Sequence, residues 1–167
     1  MPVDIDFASS FASTAADIAA VLPIVEAEGA AAIPWLDERA INVLESEAEA
    51  LSFRVARPVI GEGENEVRQE FEVCRDLPDD GAFQALTSAI EGRLNEALAK
   101  RRRHRTGTPL RLNDIILQRY PPGCLGITPH RDHIKYTDLV VIVVVAGDGR
   151  FCVCTDRQGR DTIEIPA

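Results

Sequence analysis

Apolar positions along the chain follow two regimes: helical spacing through the first hundred residues, then short, dense runs after about residue 112. Near the start, Phe7, Phe11, Ile18, Leu22 and Val25 recur at helical intervals within an Ala-rich stretch. The spacing predicts an amphipathic helix over roughly 7–21, interrupted at Pro23, whose ring removes a backbone donor and crowds the preceding turn. GAAAIPWL, from Gly29 to Leu36, reads as a short extended piece. Asp37 is placed to cap a second helix whose buried face would be Ile41, Leu44, Ala48 and Leu51. SFRVARPVI and EVRQEFEVC flank the turn GEGEN. In the second of these, Val67, Phe71 and Val73 share one face, with Arg68, Glu70 and Glu72 on the other, so a half-buried β-hairpin or meander is expected. Asp79 and Asp80 offer caps for a third helix striped by Phe83, Leu86, Ile90, Leu94 and Leu98.

From Leu112 onward the β-branched segments NDIILQRY, GITPHRD, LVVIVVVAG, FCVCTD and TIEIPA alternate with turn-like PPGC, HIKYTD, GDGR and RQGRD. The unbroken run Leu139–Val145 predicts a strand buried on both faces. Helices first and an antiparallel sheet afterwards give the α+β class. One continuous domain is expected over 1–167, in which a helical region with its hairpin (1–111) supports the strands of 112–167.

Charge sharpens this picture. The 167 residues carry 18 Lys and Arg against 27 Asp and Glu, a net charge of −9. Residues 1–50 hold ten acids and one base, Arg39, and the remainder is balanced. Such a balance argues against general affinity for a polyanion. The cluster KRRRHR, from Lys100 to Arg105, reads as the cationic end of the third helix, favoured by its macrodipole, with His104 pointing to solvent. A hydrophobic content of 46% excludes disorder as the main state. The longest strongly apolar run is about half of the roughly 20 residues a spanning helix needs, so no membrane association is expected. The opening MPVDIDF carries acids where a secretory signal carries bases, which predicts a cytoplasmic chain with its four cysteines as reduced thiols. Cys152 and Cys154, two apart in FCVC, are expected as small side chains on one face of a core strand.

The candidate chemistry lies in HRDH. On a strand, His130 and Asp132 would project from one face, and an imidazole and a carboxylate converging there can share a metal ion as two arms of a 2-His-1-carboxylate site. Arg131 would face the other way. Taken alone, the pair is weak evidence for a metal and fits better an ordinary His–Asp hydrogen bond at a strand end.

The stretch LNDIILQRYPPGCLGITPHRDHIKYTDLVVIVVVAGDGRFCV resembles the core of the Fe(II)- and 2-oxoglutarate-dependent oxygenase superfamily. In order, it has a strand ending in Tyr, a Gly-containing turn, a strand delivering His-x-Asp, a polar loop and a strongly apolar strand. Tyr120, Pro122, Gly123, Gly126, His130 and Asp132 are the matching positions. The resemblance implies a double-stranded β-helix core (jelly-roll, cupin-like) with N-terminal supporting helices. It also implies Fe(II) held by His130 and Asp132, and 2-oxoglutarate as co-substrate bound by Tyr120, with Gln118 sharing that face. The implied reaction oxidises a substrate, by hydroxylation or demethylation, with O₂ and releases succinate and CO₂.

The pattern also has gaps. Family members supply a second His and a 2-oxoglutarate-binding Arg or Lys downstream, and neither has a counterpart here. His133 would face away from Asp132 on a regular strand. A core incomplete at its C-terminal end is therefore expected, with a homo-oligomer or a partner chain completing the sheet. The alternative is a truncated, catalytically inactive relative acting as a binding or assembly module. NDIILQRY has some likeness to the nucleic-acid demethylase branch, but that branch usually has Asn where Gln118 stands. With the acidic charge, this favours a small-molecule or protein substrate over nucleic acid.

Overall fold

The computed structural model describes residues 6–101, 108–136 and 139–166. Among the described residues two helices, four short strands, a third helix and four further strands follow in order, and the strands pair in small antiparallel sheets that do not close, so the α+β class is observed. Among the described residues no helix is long and apolar enough to cross a membrane.

Helix α1 (Ala15–Glu28) starts later and ends later than its sequence suggests. Thr14 and Asp17 form a reciprocal capping box, which fixes the start. Phe7 and Phe11 therefore lie in the turns before the helix, although Phe7 is fully buried. Pro23 sits inside α1 without ending it. Both ends are capped, the second by Gly29, whose φ of 89° lets its N–H reach Val25 O at 2.9 Å. Burial of Ile18 adds to this, and together these offset the one backbone bond that Pro23 removes. The extended piece before α2 pairs back on the N-terminal turns: Ala12 N–H donates to Trp35 O (2.8 Å) and Asp37 N–H to Ser10 O (3.0 Å).

Helix α2 (Glu38–Ala50) is capped as expected, with Asp37 Oδ1 accepting from Ala40 N–H at 2.8 Å. Its most deeply buried residues are Ala40 and Leu44. Helix α3 (Ala82–Arg101) is capped neither by Asp79 nor by Asp80. The carboxylate of Glu47, from α2, accepts from Ala82 N–H at 2.5 Å and Phe83 N–H at 3.4 Å. Phe83, Leu86, Ile90, Leu94 and Ala97 are buried in the main core, which α1 and α2 share. Leu110, Leu112, Leu117, Leu139, Val141, Val143 and Val145 pack against the same cluster. The basic run beyond Arg101, including His104, lies outside the described residues.

The expected hairpin around GEGEN forms. Strand β2 (Val59–Ile60) pairs with β3 (Val67–Glu70), and β1 (Arg54–Val55) pairs with β4 (Glu72–Cys74). Strands β3 and β4 are successive stretches of one segment parted by Phe71, whose carbonyl accepts from Ala56 N–H at 3.0 Å. On the opposite edge β4 pairs with β5 (Leu117–Arg119), and β3 pairs with β6 (Gly126–Ile127). Gln69, Phe71 and Val73 are buried while Arg68 and Glu70 are exposed, which is the alternation the sequence implies.

Two strand expectations are corrected. Residues 139–145 are not a strand buried on both faces: among the described residues they form no ladder, and their burial alternates. The odd positions pack on the core while Val140, Ile142 and Val144 face outward. Among the described residues, strands β7 (Phe151–Val153) and β8 (Ile163–Ile165) pair only with each other. Cys152 is exposed and Cys154, just past the end of β7, only half-buried, contrary to a core placement; all four cysteines are free thiols.

Candidate functional site

The site begins where β6 ends. Thr128 is fastened to β3 twice, its N–H donating to Arg68 O (2.9 Å) and its Oγ1 accepting from Arg68 N–H (3.0 Å). Pro129 then cannot extend the ladder, having no N–H. Residues 128–132 accordingly leave the sheet, so His130 and Asp132 do not lie on a strand as their spacing suggests.

They nevertheless converge. His130 Nε2 lies 3.4 Å from Asp132 Oδ1. His130 Nδ1 is 2.9 Å from Thr128 O, and since a carbonyl can only accept, Nδ1 carries the proton. In the neutral imidazole Nε2 is then an acceptor facing another acceptor. A cation between them, or a second proton on the ring, resolves that conflict. Two donors bound at about 2.1 Å to one metal ion stand roughly 3.0–3.4 Å apart across angles of 90–108°, which matches the observed gap. The side chains are 29% and 54% exposed, so the pair opens to solvent and does not line a closed interior.

Beyond Asp132 the chain turns. Tyr136 N–H donates to His133 O at 2.9 Å, and Lys135 N–H donates to His133 Nδ1 at 3.2 Å. His133 is thereby engaged in its own turn. Tyr136 donates its hydroxyl to Asp114 Oδ2 at 2.8 Å, and Asp114 pairs with Arg75 at 3.4 Å. This chain of contacts ties the turn after the His–Asp pair to the ends of β4 and the approach to β5. Sequence reasoning missed it, because partners 22 and 39 residues apart leave no local signal. The bond to Asp114 chiefly, with some burial, raises the Tyr136 hydroxyl above its ordinary pKa of 10.0.

Gln118 and Tyr120 stand together at the end of β5, Tyr120 Oη donating to Gln118 Oε1 at 3.0 Å. The Tyr120 ring lies against Phe71, with centroids 5.1 Å apart. Partial burial, and secondarily Cys124, raise the Tyr120 hydroxyl above 10.0, so it is a neutral donor at physiological pH. With its oxygen occupied, Gln118 keeps its amide N–H groups for an anion.

The structure thus forms two pairs, His130 with Asp132 and Gln118 with Tyr120, joined by the PPGC turn and β6. Among the described residues no group of three or more His, Cys, Asp and Glu is placed to hold a metal ion, so two ligands are what this site presents. No family model, no curated protein and no solved structure matches the chain.

Proposed function

We infer that the chain is an Fe(II)- and 2-oxoglutarate-dependent oxygenase-type domain, built on a double-stranded β-helix-like core, with His130 and Asp132 as its metal ligands. The observation that carries this reading is the orientation of His130. Its Nδ1–H is committed to a backbone carbonyl, which directs the Nε2 lone pair at Asp132 Oδ1, 3.4 Å away. Metal-binding histidines are typically held in this way, their second ring nitrogen fixed by a carbonyl or carboxylate. A neutral imidazole with a carboxylate suits a divalent first-row metal.

When bound, iron and 2-oxoglutarate would supply the oxidising chemistry, with O₂ as oxidant and succinate and CO₂ as products. The protein's own residues do the rest. Thr128 orients His130, and the Tyr136–Asp114–Arg75 contacts steady the turn that follows Asp132. Tyr120, whose hydroxyl is committed to Gln118 Oε1, holds the Gln118 amide so that its N–H groups serve as neutral donors for a carboxylate of the co-substrate. With two ligands, binding is expected to be weak, since a facial triad short of one arm loses affinity and geometry together.

Anaerobic titration with Fe(II) in the presence of 2-oxoglutarate tests the reading through the visible charge-transfer band of the ternary complex. A band that appears with the wild-type chain and disappears in His130→Ala and Asp132→Ala is the expected result. No band at saturating metal, or one that survives both substitutions, would overturn it.

A second reading, a binding or assembly module without turnover, is favoured by one specific observation: the apolar segment 139–145, half-packed and, among the described residues, without ladder partners.

A further inference from the structure

The chain contains two Asp-Gly steps, Asp80–Gly81 and Asp148–Gly149. An aspartyl carboxyl carbon can close a five-membered ring on the backbone nitrogen of the next residue. Glycine in that next position leaves the nitrogen unshielded and the peptide free to rotate, because it has no Cβ. The fold treats the two steps differently.

Gly81 is buried and held from both sides: its N–H donates to Pro78 O and its carbonyl accepts from Ala85 N–H, each at 3.1 Å. The Glu47 carboxylate fills the space where a Cβ would stand. For its nitrogen to turn toward the Asp80 carboxyl, the capped start of α3 must first open. Asp148 and Gly149 lie instead in the turn between the apolar segment 139–145 and β7, and both are exposed. Among the described residues neither the Asp148 carboxylate nor the Gly149 N–H has a hydrogen-bond partner. A Cβ built on Gly149 would meet nothing within 4 Å, so the peptide has room to rotate. Among the described residues none beyond Val145 belongs to either hydrophobic cluster, so motion of this turn disturbs no core packing.

We propose that Asp148–Gly149 is a site of spontaneous covalent modification, at which Asp148 isomerises to isoaspartate through a cyclic imide. The Gly149 nitrogen bonds to Asp148 Cγ, and the amide proton leaves with the carboxyl hydroxyl as water. Water then adds to one of the two ring carbonyls. Cleavage of the new bond to Cγ returns aspartate. Cleavage of the original peptide bond leaves Gly149 attached through Cγ and frees the α-carboxylate. The water lost is regained, nothing is oxidised or reduced, and no co-reactant is consumed. The product lengthens the main chain by one methylene beside Arg150, whose guanidinium pairs with Glu164 of β8 at 2.6 Å.

The test is incubation of the full chain at neutral pH and physiological temperature, followed by digestion. The peptide around position 148 is compared with synthetic aspartate and isoaspartate forms, and methyl acceptance from S-adenosylmethionine through an isoaspartyl carboxyl methyltransferase gives a second readout. In the folded chain Asp148 should isomerise at least about tenfold faster than Asp80, because Asp80 reacts only through local opening of α3. In urea, where neither step is shielded, the two should react at similar rates. Asp148→Glu, which would need a six-membered ring, and Gly149→Val, whose branched side chain shields the nitrogen, should each lose the product with unchanged circular dichroism. Isoaspartate at 148 no higher than the Asp148→Glu background would overturn the proposal. So would equal rates at both steps in the folded chain, or a preference for Asp148 that persists unchanged in urea, since the fold would then not select the site. None of these readouts involves metal or 2-oxoglutarate, so they are separate from the fate of the oxygenase reading.

Discussion

Glu47 of α2 closes the N-terminus of α3: its carboxylate sits 2.5 Å from the Ala82 N–H. A side chain placed on Gly81 would put its Cβ 2.6 Å from Glu47 Oε1, so the residue just before α3 must be small for the carboxylate to enter. Removing the cap by Glu47→Ala should cost about 1–2 kcal/mol, the range for a helix cap carrying a charge near the positive end of the dipole. Asp79→Asn and Asp80→Asn should change stability by less than about 0.5 kcal/mol. Because Gly81→Ala displaces the same carboxylate, its effect and that of Glu47→Ala should be strongly non-additive in urea melts. Additive costs would mean that the two residues act separately.

Leu94 and Val140 provide a contrast between a core side chain and an outward-facing one. Leu94 is 2% exposed at the centre of the α3 stripe. Leu94→Ala should lose about 2–5 kcal/mol, and Leu94→Asp should unfold the chain by burying an unpaired charge. Val140→Ala, on the open side, should shift the denaturation midpoint little at concentrations where the chain is monomeric. A Leu94→Asp variant with an unchanged melting temperature would show that α3 is not packed as described.

Turnover of 2-oxoglutarate by this chain is expected to be slow. A charge-assisted contact to the distal carboxylate of 2-oxoglutarate is normally worth about 1.5–3 kcal/mol, and the Gln118 amide, held by Tyr120, offers only neutral donors. Succinate release should therefore be low with Fe(II) and ascorbate, and should fall to background in His130→Ala. Robust turnover that His130→Ala abolishes would require a further ligand beyond this pair, from elsewhere in the chain or from a partner.

Stability should fall at both ends of the pH range, for opposite reasons. Asp17 is held below its ordinary 3.8, first by the Thr14 side chain and then by the Thr14 backbone N–H. A depressed folded-state value gives a contribution that is full above the unfolded value and lost as pH falls through the folded one. Tyr136 is raised above 10.0 by donating to Asp114, so its contribution is full below the unfolded value and lost as pH rises through the folded one. Thr14→Val should thus flatten the acid limb of a melting-temperature profile, and Tyr136→Phe the alkaline limb. Unchanged limbs in these variants would remove both assignments.

Local signals were readable in the sequence. Asp37 caps α2 because a carboxylate three residues before a backbone N–H needs no distant help. The α3 stripe and the faces of the GEGEN hairpin follow directly from their periods of 3.6 and 2. The meeting of His130 and Asp132 was legible, but not its cause. It comes from a bend after Thr128 and not from the strand period. What the sequence hid were contacts made across the chain. Glu47 reaches 35 residues forward to displace two better-placed aspartates as the cap of α3. The unbroken run at 139–145 looked like a two-sided core strand because all its residues are apolar, and composition cannot say whether a second layer arrives to cover them.

The segment Val67–Cys74 faces Gly126–Ile127 with one half and Leu117–Arg119 with the other. It therefore acts as a common ruler for both candidate pairs: one half sets the start of the stretch leading to His130 and Asp132, the other sets the position of Gln118. Sliding or tilting of this segment against the helices would carry both pairs along in the same direction. Their mutual spacing would then be insulated from rearrangements of the helical half, and the place where that spacing can be altered is Phe71, the joint between the two graduations.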